Sequence, residues 1–365
     1  MNLSTTIGLL LCHSLVRSVF LFGNCDIHPL PGGESGTTNK EKIQGVGKIL
    51  KQEIRNQTIL MDRRKFIQNS AFTFGALTLA HQKIFSALFT KGNGAVPPPW
   101  MFHMLTDKIG VFTESGGTIA FLIDKKGVAV VDAQFPTTAP HLISELKKKT
   151  DAPIKYLINT HHHGDHTAGN ISFKGLVDHV VAHDNSRKNQ KRVAINQKNL
   201  DKQLLPDKVY AEFWQEYIGE ESIAMYYWGP GHTDGDSLVH FENANIVHMG
   251  DLMFNRRHPF VDRSAGANMG HWIKVLHRAT RHFDSKTTFI FGHSADGYNV
   301  VGNFDDLKKF SDYLGAVLTF TEGEIKAGKT KEGFLKNTTI PGAGEWKGDG
   351  ISRPLAAAWD ELMAK

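Results

Sequence analysis

Cysteine is almost missing from this chain. Its 365 residues include two, Cys12 and Cys25, both far upstream of the globular part. The folded region therefore has no disulfide and no thiolate ligand, and any metal ion it holds must be bound by histidine and carboxylate alone. Long hydrophobic runs are lacking as well. The apolar stretch at Ile7–Gly23 is interrupted by Arg17, and the one after Arg64 is too short and mild for a stable transmembrane helix. There is no Lys/Arg block with interleaved aromatics, and the formal net charge is only +5, so nucleic-acid binding has no support. Short runs such as Lys147–Lys149 read as solvated helix faces. With 41% hydrophobic and 22% charged residues, the composition is that of an ordinary soluble globule, long enough for one large domain or two small ones.

The N-terminal region offers two starts. Residues 61–80 read MDRRKFIQNSAFTFGALTLA, with Arg63 and Arg64 before a stretch rich in Ala, Thr and Gly. This resembles a twin-arginine (Tat) signal peptide, which implies the Tat export machinery as a partner and a periplasmic or other extracytoplasmic location. Met61 stands directly before it. Residues 1–60 then read as a mis-called or disordered extension, 61–95 as signal and linker, 96–330 as the main domain, and 331–365 as a C-terminal tail with a short helix.

Within the main domain, Ile109–Thr113, Thr118–Ile123 and Val128–Asp132 read as consecutive strands separated by glycine turns. Residues 139–150 have helical spacing, with Leu142, Ile143 and Leu146 on one face and Pro140 in the first turn. Ile154–Ile158 and Val180–Ala182 are short strands, the second followed by a polar helix from Asp184. Val209–Phe213 and Ser222–Trp228 are strand candidates, and Ser237–Phe241 with Ile246–Met249 reads as a hairpin. Helices are expected over 269–283, 303–326 and near the C-terminus, with a last strand at Phe289–Phe291. Strand runs followed by helix, twice over, predict an α/β fold of two packed sheets with helices outside, a four-layer αβ/βα sandwich.

Ligand-type residues lie in four segments, each behind a strand. The first is HHHGDH, residues 161–166; the others contain His232 (GPGHTDGD), Asp251 (HMGD) and His293 (FGHSADG). His161, His163 and His232 make a tripod of neutral imidazoles with one open position. Asp165, His166 and His293 make a second site, and Asp251 is a carboxylate able to bridge the two. Nitrogen and oxygen ligands without sulfur suit zinc first, with iron or manganese as alternatives. Two Zn2+ ions ~4 Å apart would share a water and lower its pKa toward ~7, giving hydroxide without a side-chain nucleophile. His162 is expected to point away from the site. His240 and His248 alternate with apolar strand positions and read as structural. Thr160 and Thr233 read as loop-stabilising hydroxyls, and Asp234 and Asp236 as turn residues beside Gly235.

These motifs resemble those of the metallo-β-lactamase superfamily, whose members carry HxHxDH and the three later ligands; the resemblance covers about residues 105–300. It implies a metal-dependent hydrolase, β-lactamase-like, in which metal-bound hydroxide opens a small carbonyl substrate and Asp165 serves as the catalytic residue that orients the hydroxide. It also implies that Asp132, ending the strand VAVVD, supports the metal loop by hydrogen bonds. Zinc β-lactamases of the first two subclasses use Cys where Asp251 stands, and the third does not use the bridging carboxylate. The ligand set is thus more similar to that of glyoxalase II and the lactonases, which makes lactonase or thioesterase activity the alternative. The segment after His293 looks too short for the glutathione-binding helical domain of glyoxalase II. Iron-dependent sulfur oxidoreduction is a further alternative, and a metal-binding protein without catalysis is disfavoured by the open ligand set. Asn255, Arg256, Arg257 and His258 follow Asp251 and read either as contacts to an anionic substrate group or as a solvated basic loop. The Glu114–Gly117 turn could form a small flap.

Overall fold

Alternation along the strands decides the layering. The computed structural model describes residues 99–346 and 349–364; the paired arginines and the whole export-signal reading lie outside the described residues. The first sheet has the order β1 (Met101–Met104), β2 (Ile109–Thr113), β3 (Ile119–Asp124), β4 (Gly127–Val131), β5 (Ile154–Asn159), β6 (Val177–His183) and β7 (Lys208–Tyr210). It is antiparallel from β1 to β4 and parallel from β4 to β7. Along β3, Ala120 and Leu122 face one apolar cluster while Ile119 and Phe121 face another, the two-residue period of a pleated strand. The central parallel strands carry runs such as GVAVV, buried throughout, because both faces are covered.

The second sheet contains β8 (Phe213–Ile218), β9 (Glu221–Tyr226), β10 (Leu238–Phe241), β11 (Ile246–His248), β13 (Thr288–Ile290) and β15 (Val301–Gly302), in the order β15-β13-β11-β10-β9-β8. A two-stranded pair joins β12 (Phe254–Asn255) to β14 (His293–Ser294). Ala120, Leu122 and Ile158 of the first sheet share a buried cluster with Met225, Val239 and Phe241 of the second, so these faces pack together. The expected single strand at Val209–Phe213 is instead split. Tyr210 ends β7, Ala211 and Glu212 are exposed, and Phe213 begins β8 in the other sheet; the chain changes sheets at this point, which a local apolar pattern does not reveal.

Helices cover the outer faces. Helix α1 (Ala139–Lys149) starts with proline in its first turn and buries Ala139, Leu142, Ile143 and Leu146 against the first sheet. Short α2 (Gly164–Thr167) follows β5, and α3 (Asp184–Asn196) follows β6. Helix α4 (Met269–His282) is capped by Asn268, whose side chain accepts from His271 N–H, and α5 (Phe304–Lys326) opens with a capping box between Asn303 and Asp306. Beyond residue 330, α6 (Lys331–Phe334) and α7 (Ser352–Met363) place Phe334, Leu355, Ala358 and Trp359 in the same cluster as α4 and α5. The result is the expected four-layer αβ/βα sandwich. Trp272 of α4 is fully buried, and its indole N–H donates to Leu252 O at 3.0 Å. Its burial, on the order of 3 kcal/mol, thus leaves no unpaired donor and holds the turn that follows β11. No helix among the described residues is long and apolar enough to cross a membrane.

Candidate metal centre

The strand ends of both sheets meet at one edge, and the seven donor residues singled out in the sequence meet there. Four come from the loop and short helix after β5; His232 lies between β9 and β10, Asp251 follows β11, and His293 opens β14. One set of donor atoms belongs to His161, His163, His232 and Asp251, another to Asp165, His166 and His293, each set lying within 4.8 Å. His163 Nδ1 is 3.1 Å from His161 Nε2 and 2.8 Å from His232 Nε2. In the second set, His293 Nε2 is 3.4 Å from His166 Nε2 and 3.1 Å from Asp165 Oδ2. Asp251 divides its carboxylate between them. Its Oδ2 lies 3.4 Å from His232 Nε2, and its Oδ1 lies 3.1 Å from His166 Nε2 and 3.4 Å from His293 Nε2.

The far side of each ring fixes which nitrogen carries hydrogen. His232 Nδ1 faces Phe260 O at 2.7 Å, and a carbonyl only accepts, so that nitrogen is N–H and Nε2 offers a lone pair. His163 Nε2 faces the Asp262 carboxylate at 2.9 Å, which leaves its Nδ1 as the acceptor. Two lone pairs therefore confront each other at 2.8 Å, an arrangement that repels unless a cation lies between them. Asp132 organises the rest. Its Oδ1 accepts from Thr160 N–H at 2.8 Å, and its Oδ2 accepts from the Thr160 hydroxyl and from His166 Nδ1, each at 2.7 Å. With its proton committed to Asp132, the Thr160 oxygen accepts from His161 Nδ1 at 3.0 Å, so His161 Nε2 also presents a lone pair. Asp251 Oδ1 is buried and faces only the ring nitrogens of His166 and His293. The donor set fits divalent cations: converging imidazole lone pairs, two carboxylates, and ring orientations held from behind.

Electrostatics agree. Burial holds His161 well below its ordinary value and takes His232 to about 3, so both are neutral. Burial also opposes charge on His166 and His293, but Asp251 and the other carboxylates outweigh it and raise both. Burial likewise opposes the Asp251 charge, yet His293 and His166 hold it far below the carboxylate range. Without metal, the second cluster keeps protons where a cation would replace them.

Other positions fall differently. Burial opposes the Asp165 charge, and His166 and His293 nevertheless hold its pKa below the usual range; its side chain is 34% exposed and borders a cavity of about 280 Å³ over both clusters. His162 packs outside the four-donor set, with Nε2 3.6 Å from Asp262. His248 is satisfied by Thr118 O and Gly250 N–H, whereas both ring nitrogens of half-buried His240 lack partners among the described residues. Asn255 and Arg256 are not free to meet a substrate. Arg256 is buried, pairs with Glu345 at 2.8 Å and Asp306 at 3.4 Å, and donates to Asn255, whose amide in turn donates to Asn299 O. His258 contacts the Tyr313 hydroxyl at 2.8 Å while bordering the cavity. Arg257 is exposed and borders this cavity and a larger one of about 760 Å³ that includes Glu114 and Gly116.

Three residues have roles at the site that the sequence did not reveal. Asp262, which holds His163, carries only the local signal of a turn cap, its side chain accepting from Ala265 N–H. Gly117 and Gly292 are glycines for lack of room. A β-carbon would lie 2.1 Å from His166 Cε1 at the first and 2.1 Å from Asp251 Oδ1 at the second.

The family model described as the metallo-beta-lactamase superfamily matches residues 113–293, a span that holds all seven donors. The chain belongs to the metallo-β-lactamase superfamily. It is 26% identical over 192 residues to metallo-beta-lactamase IND-1 of Chryseobacterium indologenes, covering 50% of this chain and 75% of that one. It is 31% identical over 137 residues to a hydroxyacylglutathione hydrolase of Pelagibacter ubique, covering 37% of this chain and half of that relative's length. The solved metallo-beta-lactamase from Pontibacter korlensis shares the fold, with a TM-score of 0.50 at 18% identity over 59% of this chain and 99% of that one. As a superfamily member with hydrolase relatives and this His/Asp donor set, the chain is a metal-dependent hydrolase.

Proposed function

We propose that this hydrolase holds two divalent ions, zinc first among them, and opens a small strained carbonyl compound in the manner of a β-lactamase. One observation carries the reading: the Asp251 carboxylate turns one oxygen to each donor set. His161, His163 and His232 would hold one ion, Asp165, His166 and His293 the other, and Asp251 would touch both. Ions at these positions supply Lewis acidity toward a carbonyl oxygen and a water acidic enough to react at neutral pH. The chain's own part is orientation and proton handling. Asp132, Thr160, Asp262 and Phe260 O fix the ring tautomers, and half-exposed Asp165 stands where its carboxylate can orient the attacking water and hold its proton.

The second reading is a lactonase or a thioesterase like glyoxalase II. The likeness to a hydroxyacylglutathione hydrolase and the carboxylate at position 251 favour it. Metal analysis of the purified protein, followed by turnover of β-lactams, lactones and thioesters, separates the two. His161→Ala and Asp251→Ala should each lower turnover of the best substrate at least ~100-fold; full turnover in either variant would remove the proposed site. The paired arginines further support export by the Tat route. Fractionating cells that carry Arg63→Lys/Arg64→Lys tests this, with the protein expected to stay in the cytoplasm.

A further inference from the structure

The mouth of the metal cleft carries two arginines with no carboxylate partner among the described residues. Four arginines lie near it. Arg256 is paired with Glu345 and Asp306, and Arg263 with Glu361. Arg257 and Arg353 both border the cavity over the donor clusters, and among the described residues neither guanidinium has a hydrogen-bond or ion-pair partner. Arg353 comes from outside the matched span 113–293, in the first turn of α7. A cation there sits at the unfavourable end of the helix dipole, so helix stability does not account for it. Nor does packing, since its side chain is exposed.

Its backbone is nevertheless firmly placed. Leu355, Ala358 and Trp359 are buried with α4 and α5. Glu361, two turns along α7, is buried and accepts from Met269 N–H at 2.7 Å and Gly270 N–H at 3.0 Å, which ties α7 to the start of α4. The same carboxylate pairs with Arg263, next to the Asp262 that holds His163. The C-terminal helix thus carries an uncommitted, permanently charged, planar donor group to the cleft on a fixed stem.

We propose that Arg353 is a specificity-determining residue which, together with Arg257, makes the cleft select substrates bearing two carboxylates. This rests on the hydrolase reading given above. The two guanidiniums each take one carboxylate; Asp165 and Asp251, the acidic residues bordering the same cavity, are committed to the donor clusters. Arg353→Gln removes the second anion contact without touching a buried group.

The test measures binding rather than turnover, so it can fail or succeed apart from the hydrolase reading. Glutarate and butyrate, which differ only by the replacement of one carboxylate with hydrogen, are titrated calorimetrically into the metal-loaded full chain. Arg353→Gln should weaken glutarate about 10-fold and leave butyrate within about 2-fold, and Arg353→Lys should restore part of the difference. The thermal midpoint should stay unchanged, because the side chain has no partner to lose. Unchanged glutarate binding in Arg353→Gln would overturn the proposal. Equal weakening of both ligands would overturn it too, by reducing Arg353 to a general field. If the glutarate preference depends on Arg353 while no carbonyl substrate is turned over, the clamp stands and the hydrolase reading falls.

Discussion

Gly117 presses against the ring of His166 so closely that a β-carbon at position 117 would lie 2.1 Å from Cε1. The ring cannot retreat, because its Nδ1 is held by Asp132 at 2.7 Å. Gly117→Ala should therefore turn His166 out of its donor set while leaving the His161, His163 and His232 tripod intact. The bound-metal stoichiometry after gel filtration should fall from two per chain to one. Two ions retained at wild-type affinity would show that the ring is not a ligand.

Asp132 has a left-handed backbone, with φ of +67°, and accepts three hydrogen bonds from the metal loop. Asparagine tolerates that conformation, so Asp132→Asn isolates the loss of charge and acceptor capacity. Metal affinity should fall roughly 10- to 100-fold by competition with a chromophoric chelator. The fold should remain, as circular dichroism would show.

Burial raises the Asp236 carboxyl to about 7, against the opposing hydrogen bonds from Thr233. The sign follows from linkage. A native pKa above the unfolded value means that the folded state binds the proton more tightly, so this contribution is fully present at low pH. It is lost as pH rises from about 4 through 7, and flat beyond. In chelator-treated protein, urea midpoints should decline across that window, and Asp236→Asn should flatten the decline. An unchanged slope in the variant would assign it to other groups.

Arg256 belongs to the scaffold. Its guanidinium lies 5.1 Å from the Trp346 ring centre and 5.6 Å from that of Tyr298, in addition to its two carboxylates. Arg256→Ala should cost on the order of 2 kcal/mol in denaturant unfolding, with KM for the best substrate unchanged. A large rise in KM at wild-type stability would return Arg256 to the substrate site.

The donor residues were legible because their side-chain chemistry is unusual and each follows an apolar strand that a local pattern discloses. HHHGDH announces a cluster without knowledge of what lies opposite. The layer order was legible for the same reason, from alternation in stretches such as Ile119–Asp124. What escaped depends on contacts remote in sequence. Arg256 looked like a candidate for substrate because its partners stand at 306 and 345. Gly117 looked like an ordinary turn residue and Gly292 drew no reading, because the groups that crowd them, His166 and Asp251, come from other strand ends. Asp262 and Glu361 are single carboxylates in unremarkable surroundings, and only the folded chain sets one behind His163 and the other on the first turn of α4.

The donor atoms at the shared edge come from positions as far apart as 161 and 293, and from the loops of both sheets. A cation seated there acts as a cross-brace between two halves that otherwise adhere through apolar contact and a few hydrogen bonds, such as that between His248 and Thr118 O. Neither half holds either donor set alone, so each set is complete only when both are in place. Once captured, the cation obliges both halves to come apart together.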